Sequence, residues 1–355
     1  MLGLGGFKYT ACRAGPKLGR ILGGASTPAL VHAAYAASTW NKVDSALNTF
    51  ENFCIDSNII AVWPLNQETV NGFIHWCTFV RKLSPNTITS YMSHLKMVHN
   101  LRGIDDSSCT SFLSKAQIRG AKNLKFYSEE KSQMKKVMTL PLLKILGHSI
   151  AISNWRNRSK IVLWSAFCTA FFGSFRLGEL LPKHENSFNK FECLLWSDVK
   201  FFDDESVQIH VKIPKTRNPN GEIVSLFRFP NKNCCPIEAL KCLLTLSKCN
   251  ASSETPVFSF ESGKYLTIDK MNVFIVKFLE PFIGDDAKFY SCKSFRAALP
   301  SALATFPHIG NDVSIKRWGR WNSDAFERYT RLSHAAKKEL FERFANALRS
   351  NYHSL

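Results

Sequence analysis

One apolar segment without charged residues limits the possible folds of this chain more than any other feature. It runs for 15 residues, from Ile161 to Phe175, between Lys160 and Arg176. A helix that spans a bilayer needs about 20 apolar residues, so this segment is too short to cross a membrane. Its length and composition predict a helix in the core of a globular domain, and we expect no membrane partner.

Before this segment, apolar residues recur at helical spacing and predict a helical domain over residues 38–118. Asn66 and Ser84 are good helix N-caps, and Pro85 suits a first helical position. A fourth short helix is expected over 112–118. The predicted core stripes are Trp40, Val43, Leu47, Phe50 and Phe53, then Val70, Phe73, Ile74, Cys77 and Val80, then Ile88, Tyr91, Leu95 and Val98.

A second, larger domain is expected over residues 139–355. Two alternating segments, 207–211 and 222–227, flank the turn-rich residues 214–221 and predict a β-hairpin. The fold class is therefore mainly α with a small β-sheet. The predicted helices run over 140–150, 160–172, 236–247, 268–282, 292–306, 312–318, 323–330 and 334–348.

The charge balance points to a polyanionic partner. The chain carries 46 Lys and Arg against 28 Asp and Glu, a net charge of +18. The excess is concentrated at 1–37, which has no acidic residue, and around 119–138. We expect a flexible basic arm and a basic linker, both suited to a phosphate backbone. The alternatives are a solvated basic surface and, for the arm, a targeting signal, although Gly23, Gly24 and Pro28 interrupt its apolar run.

The cysteines do not predict a metal site. There are 11 of them and no Cys-x-x-Cys pair, and the cluster at Cys234, Cys235, Cys242 and Cys249 lacks zinc-finger spacing. Free, mostly buried thiols in a reducing compartment are the better interpretation. We expect neither a metal nor a cofactor.

The residues with the greatest chemical interest are five cations and one tyrosine. Each alone has a plain structural explanation: Arg176 as a half-buried arginine paired with Glu179, or Lys215 as an exposed loop lysine. Residues 293 and 296 share a helix face by spacing. In chain order the set is Arg176, Lys215, Lys293, Arg296, Arg320 and Tyr329.

In order and spacing these motifs resemble the tyrosine recombinase (phage integrase) family. The stretch Gly-Ser-Phe-Arg-Leu-Gly-Glu-Leu at 173–180 resembles its first arginine box, and Pro-Lys-Thr at 214–216 resembles its hairpin lysine. Lys-Ser-Phe-Arg at 293–296 resembles the His-x-x-Arg box. Trp-Gly-Arg at 318–320 resembles the Leu-Gly-His element, with a tyrosine nine residues after Arg320. The resemblance covers about residues 38–350.

The resemblance implies a helical core-binding domain, a mixed α/β catalytic domain and metal-free cleavage of double-stranded DNA. Tyr329 would be the nucleophile and Lys215 the acid for the leaving 5′-oxygen, with Glu179 and Trp321 in support. A phosphodiester transition state carries charge on its non-bridging oxygens, and arginine supplies matching bidentate donors. Further DNA contacts are expected from Asn86, Thr87, Ser90, His94, Lys96, Lys122, Lys125 and Arg217.

Two positions depart from the family pattern, since Lys293 and Arg320 stand where the family has histidines. The Gly-Arg-Trp form of the last box resembles recombinases of eukaryotic mobile elements, of the crypton or DIRS/Ngaro kind, which implies a nuclear location. The family also implies a homodimer or homotetramer on DNA through the C-terminal helix at 335–348, which could instead pack on its own domain. A silent DNA-binding protein and a type IB topoisomerase are the alternative functions.

Overall fold

The fold is described from a computed structural model, over residues 28–127, 136–202, 205–212, 220–247, 253–304 and 312–321. The chain divides into two compact units, residues 1–132 and 133–355. In these described ranges, no helix is both long enough and apolar enough to cross a bilayer. The nine described cysteines are free, and most are buried.

In its described residues the first unit is built from helices joined by loops. Its helices are α1 (Pro28–Ala34), α2 (Ala37–Asp56), α3 (Gln67–His75) with a π-helical turn at Trp76–Val80, α4 (Pro85–Leu101), α5 (Ser107–Thr110) and α6 (Phe112–Tyr127).

Two predicted caps start helices of the first unit. The side chain of Asn66 accepts a hydrogen bond from the Thr69 amide at 2.8 Å. That of Ser84 accepts one from the Thr87 amide at 3.1 Å, and Pro85 follows as the first residue of α4. These side chains satisfy amide groups that have no partner within the helix.

The predicted stripes form most of the core of the first unit. Val43, Phe73 and Leu95 are fully buried there. Val80 is an exception, because it ends the π-helical turn and is exposed. His99 also lies in this core. Its Nε2 accepts the Leu65 amide proton at 3.1 Å, and Nδ1 lies 2.8 Å from the Leu95 carbonyl oxygen. Those two bonds require a neutral ring with its proton on Nδ1.

Two predictions for the basic segments are wrong in part. Residues 28–34, placed in a flexible arm, form α1, and Trp40 Nε1 donates to the His32 carbonyl oxygen at 2.9 Å. Residues 119–127, placed in the linker, continue α6 to Tyr127. Five of these nine residues, Arg119, Ala121, Lys122, Leu124 and Lys125, favour helix, and the prediction weighed only their charge.

The second unit combines helices with a small sheet that has one exposed face. Its helices are α7 (Leu140–Ile152), α8 (Asn157–Gly173), α9 (Leu177–Leu180), α10 (Pro236–Ser247), α11 (Ile268–Ile283), α12 (Cys292–Arg296), α13 (Ala298–Leu303) and α14 (Asp312–Gly319). Short 3₁₀ turns lie at Trp196–Asp198, Lys232–Cys234 and Gly284–Phe289. Helix α8 contains residues 161–173 of the apolar segment and is buried along most of its length, as its composition predicts.

The sheet is antiparallel and has three strands in the order β1 (Val199–Phe202), β2 (Ser206–Val211) and β3 (Glu222–Phe227). The predicted hairpin is confirmed, with Val211 opposite Glu222 at the end next to the connecting loop. Strand β1 was not predicted, because four residues are too few to show an alternating pattern. The sheet buries Val207, Ile209 and Leu226 against the helical core.

One predicted helix is interrupted. Residues 292–306 were expected to be continuous, but α12 ends at Arg296 and α13 begins at Ala298. Pro300 accounts for the break, because it has no amide proton to donate to the Arg296 carbonyl in a continuous helix. The predicted helices at 323–330 and 334–348 lie outside the described residues.

Candidate active site

Arg176 lies at the junction between α8 and α9. Helix α8 ends at Gly173, and Ser174 takes a left-handed conformation with φ 47° that turns the chain. Glu179 then receives two hydrogen bonds from Arg176, one from the backbone amide to Oε2 at 3.1 Å and one from a guanidinium NH to Oε1 at 3.0 Å. The side chain of Glu179 is only 5% exposed, so this pairing holds both groups in place.

Arg320 follows α14 and joins the same carboxylate. One of its NH groups lies 2.7 Å from Glu179 Oε2, and the other lies 3.2 Å from Glu222 Oε2. Its Cζ lies 5.2 Å from the ring centroid of Phe175. The Arg320 side chain is 10% exposed. Glu179 therefore bridges two guanidinium groups that are 144 residues apart in the chain (320 − 176).

Arg296 connects the backbones beside these two arginines. Its guanidinium donates one hydrogen bond to the Ser174 carbonyl and another to the Gly319 carbonyl. It also lies over the indole ring of Trp321, with 5.0 Å from Cζ to the centroid. The Arg296 side chain is buried, and these two carbonyl oxygens are hydrogen-bond acceptors for its charged guanidinium.

The resulting cluster combines three guanidinium groups with two carboxylates, for a local formal charge of +1. Arg320 Nε and Ser174 Oγ are buried there and have no hydrogen-bond partner among the described residues. Such donors suit an anionic oxygen, because a buried unpaired donor is costly. Within the described ranges, no three His, Cys, Asp or Glu side chains lie close enough together to hold a metal ion.

Lys293 does not share the environment of Arg296. Both lie on α12, three residues apart, but Lys293 is exposed while Arg296 is buried. The side chain of Lys293 makes no ion pair or hydrogen bond with any residue that the structure describes. The spacing of Lys293 and Arg296 predicted that both side chains lie in one environment, and this is not what the structure shows. Helix α12 has only five residues, and Arg296 is held by carbonyl groups of distant segments.

Three predicted residues lie outside the described ranges. Lys215 and Arg217 belong to the hairpin loop at 213–219, and Tyr329 belongs to 322–355. At the base of that loop, Lys212 forms an ion pair with Asp198, which also accepts the Leu195 amide proton at 2.9 Å.

The predicted DNA-contacting residues of α4 lie opposite its buried stripe. Asn86 is exposed, and the other four, Thr87, Ser90, His94 and Lys96, are partly exposed. Lys96 lies 3.6 Å from Asp106, so a carboxylate already shares its charge. Partial burial lowers the pKa of His94, which leaves this ring less readily charged than an ordinary histidine.

On α6, Lys122 is exposed. Lys125 also lies within this helix. The two positions are three residues apart, which places them on one side of α6.

Sequence reasoning missed Glu222 and Phe175 as parts of the cluster. Glu222 was recognised only as the first residue of an alternating strand, and Phe175 only as the end of an apolar run. One signal was available: an acidic residue directly after a loop that carries a candidate lysine. Its partner Arg320 is 98 residues later in the chain, beyond the reach of any local pattern.

Part of the first unit matches a known domain family. Residues 31–101 match the phage integrase SAM-like domain. No curated protein matches the chain in sequence.

Two solved structures share the fold over most of the chain. The Tn1549 transposon integrase in complex with transposon right end DNA has a TM-score of 0.60 and 11% identity, covering 88% of this chain and 95% of that one. A lambda integrase dimer bound to a COC' core site has a TM-score of 0.53 and 12% identity, covering 85% and 74%. The chain therefore has the mainly helical fold, with a small antiparallel sheet, of the tyrosine recombinases.

Proposed function

We propose that this protein is a site-specific DNA recombinase that cleaves and rejoins DNA through a 3′-phosphotyrosyl intermediate. The observation that carries the proposal is the position of Arg296. Its guanidinium binds the carbonyl groups of Ser174 and Gly319, next to the segments that hold Arg176 and Arg320. Three guanidinium groups from distant segments thus form one cluster, as stabilisation of a phosphoryl transition state requires.

In the proposed reaction, the Tyr329 hydroxyl attacks the scissile phosphorus. A bond forms between the tyrosine oxygen and phosphorus, and the bond to the 5′-oxygen breaks. The phenolic proton passes to water, Lys215 gives the 5′-oxygen a proton, and Lys215 is then reprotonated from water. The arginines stabilise the charge on the non-bridging oxygens. Attack by a 5′-hydroxyl then reverses these steps and joins the strands. Water is the only other participant, as the carrier of protons, and the number of phosphoester bonds is unchanged.

Double-stranded DNA is the proposed substrate. Residues 38–118 and the rest of α6, to Tyr127, would bind one side of the duplex, and residues 139–355 would cleave it. The part of the predicted linker that follows Tyr127 would connect the two units. Support comes from the match to the SAM-like domain and from the net charge of +18. The arm at 1–37 would add phosphate contacts, although its last residues are helical.

We further propose that the enzyme serves a eukaryotic mobile element of the crypton or DIRS/Ngaro kind and acts in the nucleus. The Gly-Arg-Trp form of its last box supports this. It would act as a homodimer or homotetramer on DNA, held by the C-terminal helix at 335–348. The dimeric lambda integrase complex lends support to an assembly on DNA.

A catalytically silent DNA-binding protein is the second candidate. One observation favours it: two carboxylates, Glu179 and Glu222, already neutralise Arg320. Such a protein would bind the element's ends and form no covalent bond to them.

The deciding experiment uses the full chain and a nicked suicide substrate from the element's terminal DNA, analysed on a denaturing gel. If the protein is a recombinase, the nicked substrate traps a covalent adduct in which the 3′-phosphate of the cleaved strand is joined to the protein. Tight binding without any adduct supports the silent protein. Relaxation of supercoiled plasmids of unrelated sequence, by the monomer, indicates a topoisomerase.

A further inference from the structure

The backbone of Arg320 has a conformation that arginine rarely takes. Its φ is 55°, in the left-handed region, at the end of α14. The Arg320 amide donates to the Arg317 carbonyl at 3.2 Å, and the Trp321 amide donates to the Lys316 carbonyl at 3.0 Å. Helices usually end this way on glycine, because a Cβ is disfavoured there.

Side-chain contacts offset this cost. The guanidinium of Arg320 lies between the carboxylates of Glu179 and Glu222 and against the ring of Phe175. Glu179 is shared with Arg176. Glu222 is thus the second carboxylate that restrains Arg320, and it belongs to strand β3, whereas Glu179 belongs to α9.

The position of Glu222 is closely determined. It begins β3 opposite Val211, directly after Gly221, which has a φ of 70°. A Cβ at Gly221 would lie 2.5 Å from His210 Nε2 and 2.6 Å from the Val211 carbonyl oxygen. A side chain at position 221 would clash with β2, so the backbone conformation directly before Glu222 is restricted. The loop at 213–219, which carries Lys215, joins the same two strands.

We propose that Glu222 is a positioning residue that sets the place of the Arg320 guanidinium and couples it to the β2–β3 hairpin. The inference rests on the proposed function, because the reaction needs Arg320 and Lys215 at the same phosphate. Glu222 touches no reacting atom. It acts through Arg320, by keeping one NH group occupied while Nε stays buried and unpartnered. Movement of the hairpin on DNA then moves Arg320 as well.

The test compares Glu222→Gln and Glu222→Ala with a matched control, Glu205→Gln. Glu205 directly precedes β2 and pairs with Arg228 at 3.2 Å, and the Glu205 side chain is 76% exposed. In single-turnover cleavage of a suicide substrate by the full chain, Glu222→Ala should be slower by on the order of 10- to 100-fold. Glu222→Gln, which keeps an oxygen acceptor, should lose less, and Glu205→Gln should match wild type.

Two further measurements separate positioning from a general structural role. In the Arg320→Ala background, Glu222→Ala should cause no further loss of rate, because its effect passes through Arg320. Hydrogen exchange in the full chain, which needs no activity, should speed up at the Arg320 and Trp321 amides in Glu222→Ala and remain unchanged in α8.

The outcomes are distinct. Multiplicative losses in the double variant, or wild-type exchange at residues 320 and 321 in Glu222→Ala, overturn the positioning role. If the wild type forms no adduct, the proposed function fails, and the exchange measurement still decides whether Glu222 holds Arg320.

Discussion

An NH group of Arg320 lies 2.7 Å from Oε2 of Glu179, a residue 141 positions earlier in the chain. Because Glu179 also binds Arg176, one buried carboxylate fixes the separation of two guanidinium groups. A phosphate that enters the cluster meets donors already oriented by the protein. Preorganised donors of this kind stabilise developing charge without reorganisation during the reaction.

Tyr329→Phe should abolish the covalent adduct and leave DNA binding unchanged, because only the phenolic oxygen is removed. The measurement is adduct formation on the nicked substrate, beside a binding titration. Tyr290→Phe is the matched control. Burial raises the pKa of Tyr290, which makes its phenolate harder to form. An adduct that persists in Tyr329→Phe, or that maps to Tyr352, would show that another residue is the nucleophile.

Arg320→Ala should slow single-turnover cleavage by on the order of 10²–10³, the usual effect of removing one transition-state donor. DNA binding should be nearly normal, and Arg320→His should retain more activity than alanine, because imidazole still donates a hydrogen bond. Lys293→Ala tests the other departure from the family pattern in the same assay, with the same loss expected. If both alanine variants cleave at the wild-type rate, neither residue acts in the site.

Arg296→Ala should lower the free energy of unfolding as well as activity. It leaves the carbonyls of Ser174 and Gly319 without this donor, and each unsatisfied buried group costs about 1–3 kcal/mol. Lys293→Ala, three residues earlier and exposed, should change stability by less than about 0.5 kcal/mol. Urea unfolding of both variants measures the contrast. Equal stabilities would mean that Arg296 is not a structural support.

Neutralising Lys122 and Lys125 on α6 should weaken binding to all DNA sequences similarly. The slope of log K against log salt should become less steep by about 0.9 for each phosphate that the protein no longer neutralises. Lys136→Gln is the comparison, because Lys136 already pairs with Asp286 at 2.6 Å and should change the slope less. An unchanged slope in the Lys122 and Lys125 variant would place α6 away from the DNA.

His99 should make the first unit less stable in acid. Burial lowers its pKa below the ordinary value, despite the opposing hydrogen bond to Leu95 and the nearby Asp106. As pH falls below about 6.5, His99 takes up a proton in the unfolded chain but stays neutral in the folded protein. The free energy of unfolding therefore declines with falling pH until the lowered pKa of the folded state is reached.

Above that range this contribution is constant. Hydrogen exchange of α4 at several pH values, corrected for intrinsic rates, measures the effect. His99→Gln should remove this part of the pH dependence, and an identical profile in that variant would contradict the assignment.

The local pattern of the sequence determined most helices and the hairpin. Pro236–Ser247 and Glu222–Phe227 have the boundaries that their periodicity predicts, because neighbours in the chain decide which residues face a core. The same reasoning failed for the second half of α6, which was assigned to a linker because it is basic. It also failed for β1, which is too short to show an alternating pattern. The order of the basic residues suggested a common site but gave no information about their partners.

Only the tertiary structure decided how the charges of the cluster are shared. The contacts of Arg320 with Glu179 and Glu222, and of Arg296 with Ser174 and Gly319, join segments 23 to 141 residues apart. The tertiary structure also separated exposed Lys293 from buried Arg296, which spacing alone had placed together. Local preferences act over a few residues, whereas an ion pair depends on where packing of the whole core brings two distant segments.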